Sequence, residues 1–159
     1  MTPDRLPQLN LPPVELRIKK DLAGKVVIFD RIRHRWLKLT PEEWVRQNFI
    51  SWLIEYLHYP LSLIAVETGI NLNNTSRRCD TVIFRSDGRP LIIIEYKAPH
   101  ITISQTTFDQ IVRYNMVLHT PFLIVSNGLR HYCCQIDYTT DLYRFLPHIP
   151  DYREIPSII

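Results

Sequence analysis

The chain has 159 residues, of which 45% are hydrophobic, 22% charged and 11% aromatic, the proportions of one ordinary domain with a single core. That length leaves no room for an ATP-driven motor beside such a core, and no G-x-x-x-x-G-K-[ST] phosphate loop occurs in it. Nineteen Lys and Arg against sixteen Asp and Glu give a formal charge of +3, too little by itself to argue for a nucleic-acid partner.

Seven of the twelve prolines lie near the two ends, so residues 1–14 and 147–159 are expected to be extended arms outside a packed domain of residues 15–146. Neither an apolar signal segment nor an apolar run long enough to span a membrane is visible. Three cysteines without a C-x-x-C pair fit a reducing compartment, and the expected location is the cytoplasm.

Lys25 to Phe29 and Ile32 to Leu39 read as strands joined by a tight connection at Asp30-Arg31. Thr40-Pro41-Glu42-Glu43 is a helix start: a capping Thr, a Pro in the first turn and a Glu three residues after the cap. Trp44, Phe49, Trp52, Leu53 and Tyr56 follow at helical spacing, and the helix should stop near Tyr59-Pro60. Leu63 to Thr68, Cys79 to Phe84, Leu91 to Lys97 and Phe122 to Val125 are Ile-, Val- and Phe-rich strands. Ser104 to Leu118 is a second helix, and Asn127-Gly128 turns the chain into a last strand, Arg130 to Ile136. The order β-β-α-β-β-β-α-β-β implies an α/β sandwich with a mixed central sheet flanked by helices.

The richest chemistry lies on one hairpin. With Asp87-Gly88 at the centre of a symmetric turn, Asp80 falls opposite Glu95 and Arg78 opposite Lys97. Facing residues have Cβ atoms about 4.5–5.5 Å apart, so the two carboxylates could share one ion, and Lys97 points to the same face as Glu95. The same three residues also read as a structural salt-bridge cluster. Against that reading, the run Leu91 to Ile94 marks a buried strand, whose carboxyl end is where an open α/β sheet places its site. Oxygen ligands of this kind suit Mg²⁺, with Mn²⁺ as a substitute and the Tyr96 backbone carbonyl as a further ligand.

The pattern D-x(14)-E-Y-K across a hairpin resembles the PD-(D/E)XK nuclease superfamily, although Cys79 stands where the superfamily name has Pro. Gln110 and Tyr114 resemble the Q-x-x-x-Y motif of a large subgroup. The succession P-E-E-x-V-R-Q, Glu67, Arg78 to Asp80, I-E-Y-K-A-P, Q-x-x-x-Y and Ile124 to Gly128 is similar to the N-terminal nuclease domain of type I restriction enzyme R subunits. The resemblance implies a restriction-endonuclease-like fold and Mg²⁺-dependent cleavage of DNA by a domain without the motor of those subunits. Asp80, Glu95 and Lys97 would be catalytic, with Asp80, Glu95 and Tyr96 as ligands, Glu43 a candidate accessory ligand, and Gln110, Tyr114 and Arg78 on the substrate side. Implied partners are DNA, a motor or specificity subunit on another chain, and a second copy of the chain. The rival reading is a non-catalytic nucleic-acid-binding or protein-interaction module on the same fold. Glu43 is also accounted for as the acidic arm of a capping box, and Glu67 as a structural partner of Arg78.

Overall fold

The computed structural model describes residues 6–72, 75–116 and 118–157. It is an α/β sandwich. A small antiparallel sheet comes first, made of β1 (Ile18–Lys20), β2 (Val26–Asp30) and β3 (Arg35–Lys38). Helix α1 (Pro41–Glu55) follows, then β4 (Ile64–Leu72), β5 (Thr75–Phe84), β6 (Pro90–Tyr96), helix α2 (Gln105–Met116), β7 (Phe122–Ser126), β8 (His131–Asp137) and β9 (Leu142–Phe145). The six later strands form one sheet in sequence order, antiparallel except for the parallel pair β6–β7 on either side of the α2 crossover.

Strand alternation puts the two helices on opposite faces. Ile92, Ile94 and Tyr96 of β6 and Phe122 and Ile124 of β7 pack with Val45, Phe49 and Leu53 of α1. Ile93, Leu123 and Val125 pack with Phe108 and Val112 of α2. Covered on both sides, β6 and β7 can be apolar at almost every position, as a parallel pair requires.

Several expectations shift by a few residues. The β2–β3 connection is a turn over residues 31–34 with His34 at φ 51°, so β3 starts later than the apolar pattern suggests. Helix α1 ends at Glu55 because His58 turns left-handed at φ 59° and Tyr59 N–H reaches back to the Leu53 carbonyl at 3.0 Å. Strands β1 and β9, which no sequence pattern announces, extend the two sheets. Among the described residues the two ends carry no strand, yet they pack rather than dangle. Leu9, Leu11, Ile149 and Ile155 join the α1-side core, Trp44 Nε1–H donates to the Pro7 carbonyl at 3.0 Å, and Tyr59 O–H donates to that of Pro150 at 2.9 Å.

The β5–β6 turn is not the symmetric one expected. It spans residues 85–89 with Gly88 at φ 82°, and Phe84 pairs with Pro90. An irregularity between Ile83 and Phe84 then absorbs one residue, so that Ile83↔Ile92, Val82↔Ile93 and Thr81↔Ile94 follow. The two departures cancel, and from Ile83 onward the register is the one the sequence implied.

Candidate active site

The β5–β6 ladder stops at Thr81↔Ile94, one step before the level of Asp80 and Glu95. Lys97 N–H is spent on the Ser126 carbonyl of β7, at 2.9 Å. Tyr96 N–H therefore points the other way, toward β5, where Asp80 Oδ2 accepts it at 3.0 Å. A carboxylate thus takes the place of a backbone carbonyl, which anchors Asp80 and sets the Tyr96 carbonyl on the same strand edge.

Glu95 lies beside it, and its carboxyl is pushed up to about 8, first by burial and then by the charge of Asp80, with the Lys97 ammonium opposing. The neutral form of Glu95 is thereby favoured beside the Asp80 charge. A cleft of about 320 Å³ opens here, lined by Arg78, Glu95, Lys97, Gln110, Ile111 and Asn115. A larger hollow of about 640 Å³ along β8 and β9 has Asp137 as its lone carboxylate.

Behind the acid pair sits a guanidinium to which the sequence motifs assign no role. Arg46 of α1 is 4% exposed. Its Nη1 donates to Glu43 Oε2 at 3.2 Å and to Glu67 Oε1 at 3.0 Å. Its Nη2 is 3.7 Å from Asp80 Oδ1 and 3.9 Å from Glu42 Oε1, and the group lies over the Tyr96 ring at 5.7 Å. Burial works against that charge, but Glu43, Asp80 and the bond to Glu67 outweigh it and raise the Arg46 pKa further. Arg33, from the β2–β3 turn, contacts Asp30 Oδ2 at 2.6 Å and Glu67 Oε2 at 2.7 Å. Although partial burial disfavours its charge, Glu67 is held below the usual carboxylate range by Arg46, Arg33 and Arg78. Glu42 is raised, by burial and then by Asp80.

This network decides where Glu43 goes. Thr40 Oγ1 accepts Glu43 N–H at 3.0 Å, so the cap forms. The Glu43 carboxylate does not complete a capping box, because it turns inward to accept from Gln47 Nε2 at 2.8 Å and from Arg46. With both oxygens engaged and its side chain 9% exposed, Glu43 buttresses Arg46 in this structure. Glu67 lies within β4 at φ 46°, and that backbone aims its carboxylate at three guanidiniums; the expected pair with Arg78 is present at 3.1 Å.

Gln110 is exposed on α2 at the rim of the cleft, and Arg78 lines the opposite rim. The Tyr114 side chain lies outside the described residues. No sequence signal marks Arg33. Arg46 is visible as the Arg of P-E-E-x-V-R-Q, three residues after Glu43, where a cation on the buried face of a helix implies buried acids.

Among the described residues no cluster of three His, Cys, Asp or Glu side chains is arranged around a common point. The donor set here is two carboxylates and a carbonyl. It fits a hard cation such as Mg²⁺, which takes one or two protein carboxylates and fills its remaining positions with water and phosphate oxygens.

A family profile described as type I restriction enzyme R protein N terminus (HSDR_N) matches residues 41–150. The chain belongs to this family. Membership places it in the setting of restriction-modification and of nuclease-like domains, and the match begins at the first residue of α1, so the β1–β3 sheet precedes it. Among solved structures, the chain is similar to a fragment of a protein described as a putative HsdR subunit of a type I restriction enzyme from Vibrio vulnificus YJ016. The identity is 21% over 59% of this chain and 20% of that one, with a TM-score of 0.42. The HSDR_N-family chain thus spans about one fifth of that protein fragment. No curated protein matches it significantly. No helix among its described residues is long and apolar enough to cross a membrane.

Proposed function

We propose that this domain is a Mg²⁺-dependent DNA endonuclease, hydrolysing phosphodiester bonds at the cleft between β5, β6 and α2. The observation that carries the reading is the convergence of Asp80 and Glu95 where the ladder opens, with Lys97 lining the same cleft. Burial and the Asp80 charge raise the proton affinity of Glu95, and a divalent cation would relieve that repulsion.

Asp80, Glu95 and the Tyr96 carbonyl would hold the ion, which, when bound, polarises the phosphate and acidifies a water. Asp80 is aligned for this by Tyr96 N–H. Lys97 orients the attacking water and balances negative charge developing on the phosphate oxygens, as the water oxygen bonds to phosphorus and a sugar oxygen departs with a proton. Gln110 and Arg78, which line the cleft, would meet phosphate oxygens as neutral and cationic donors, and the motif resemblance assigns Tyr114 to the same substrate side. Glu43 acts through Arg46 rather than at the ion. DNA as substrate, a partner subunit carrying a motor or specificity function, a homodimer and a cytoplasmic location follow from the family setting and belong to the proposal.

Cleavage of supercoiled and linear DNA with Mg²⁺ or Mn²⁺ tests it. Asp80→Asn and Lys97→Ala are each expected to lower the rate at least ~10²-fold, the scale of a lost charge-stabilising or acid-base group. Wild-type rates in both variants would refute the assignment, and metal-independent binding without cleavage would favour the non-catalytic module.

A further inference from the structure

Outside the cleft, the small sheet carries an unusual outer face. Its inner side is defined by Ile28 and Asp30, both fully buried. Alternation therefore turns Val27 and Phe29 outward, and the register sets Lys19 and Lys38 on either side of Val27 and Trp36 beside Phe29. Arg17 joins this row, since its carbonyl accepts Phe29 N–H at 2.9 Å. The face thus holds the exposed cations Arg17, Lys19 and Lys38 around the half-buried Phe29 and Trp36 and the buried Val27; the acids next along the same alternation, Glu15 and Asp21, lie just outside β1.

Two of the three cations are held in place. The Arg17 guanidinium lies 4.4 Å from the Phe29 ring centre and 5.3 Å from that of Trp36, and Lys19 Nζ lies 4.2 Å from Trp36. Stacking on aromatic faces restrains long side chains while leaving their charge in solvent. The rings, already covered by cations, are not free to stack unpaired bases. What remains is an exposed array of positive charge. Its hairpin end is tied to the candidate site by Arg33, which bonds Glu67, itself bonded to Arg46 and Arg78.

We infer that the outer face of β1–β3 is a docking surface for the phosphate backbone of duplex DNA, supplied by a segment that precedes the family's matched region. The inference deepens the nuclease reading by naming where the duplex lies beyond the cleft. Backbone binding by three cations carries no base specificity and is strongly salt-dependent.

The test uses the full chain in EDTA, so that binding is read without cleavage. Binding of a labelled duplex of roughly thirty base pairs, long enough to reach past the cleft, is followed by anisotropy against salt. Each cation that neutralises a phosphate adds ~0.9 to the salt slope, so the Arg17→Gln, Lys19→Gln, Lys38→Gln variant should show a slope shallower by about 2.7. Its deficit relative to wild type should shrink about 40-fold between 50 and 200 mM salt. A control variant, Arg89→Gln, Arg144→Gln, Arg153→Gln, has the same net charge but changes exposed cations elsewhere; it should keep the wild-type slope. Thermal unfolding establishes that both variants are folded. The inference is overturned by a wild-type slope in the face variant, or by an equal loss in the control. It is also overturned by equal face-dependent affinity for a single strand, or by displacement with polyglutamate at equal charge, which would point to an acidic protein partner. Cleavage with Mg²⁺ is scored separately: wild type that binds through this face without cutting defeats the nuclease reading and leaves this surface standing.

Discussion

Replacing Glu95 by Gln should stabilise the protein, although it removes a residue from the candidate active site. The folded-state pKa of Glu95 is raised from 4.5 to about 8, so the stability it contributes is fully present below 4.5, falls as pH rises from there to about 8, and is constant above. Over that span the folded chain must either hold a proton that the unfolded chain has released or bury a second charge beside Asp80. At ~1.4 kcal/mol per pH unit the ceiling is about 5 kcal/mol. The cleft admits water, which screens the pair, so a gain of about 2–3 kcal/mol is expected for the neutral isostere, worth roughly 5–10 °C in a chain this long. Circular dichroism melts in EDTA at pH 4.5, 6.5 and 8.5 measure it. Glu95→Gln should melt with wild type at the lowest pH and above it at the highest. In parallel melts without chelator, Mn²⁺ should raise the melting temperature of wild type but not of the variant. A variant no more stable than wild type at pH 8.5 would refute the reasoning that burial beside Asp80 strains Glu95.

Arg46→Met should have the opposite sign. It leaves Glu43, Glu67 and Asp80 without their shared cation, and breaking a buried pair from one side costs about 3–5 kcal/mol; a denaturant midpoint within error of wild type would show that the network contributes nothing. Gly128→Ala should destabilise the fold, since Gly128 has φ 82° and an added Cβ would lie 2.7 Å from a Leu9 methyl. Shortening Leu9 to Ala in the same chain should recover part of that loss, and a strictly additive double variant, by thermal melting, would mean that the N-terminal segment does not pack there.

The sandwich and the acid pair were legible in the sequence because both depend on local, periodic signals. The β5–β6 register survived an error in the turn, because the five-residue turn and the irregularity between Ile83 and Phe84 offset one another. What escaped were interactions without a period. The fate of Glu43 was set by Arg46 and Gln47 on its own helix and by Arg33 from another sheet. The proline-rich ends read as arms because proline forbids regular structure, yet proline does not forbid packing, and Leu9, Leu11, Ile149 and Ile155 have the apolar surface to do it. Strands β1 and β9, three and four residues long, are too short for alternation to rise above chance.

The left-handed backbone at Glu67 has a consequence for self-association. Strand β4 borders the six-stranded sheet, and an unbroken border strand would offer a row of open amide and carbonyl groups to another chain. The pairing of β4 with β5 skips Glu67, and a residue at φ 46° twists the outward groups on either side out of line. The kink that aims a carboxylate at three guanidiniums therefore also interrupts the template on which a second molecule could add a strand, so that β4 is guarded against cross-chain sheet growth at the very residue that ties it to the charged network.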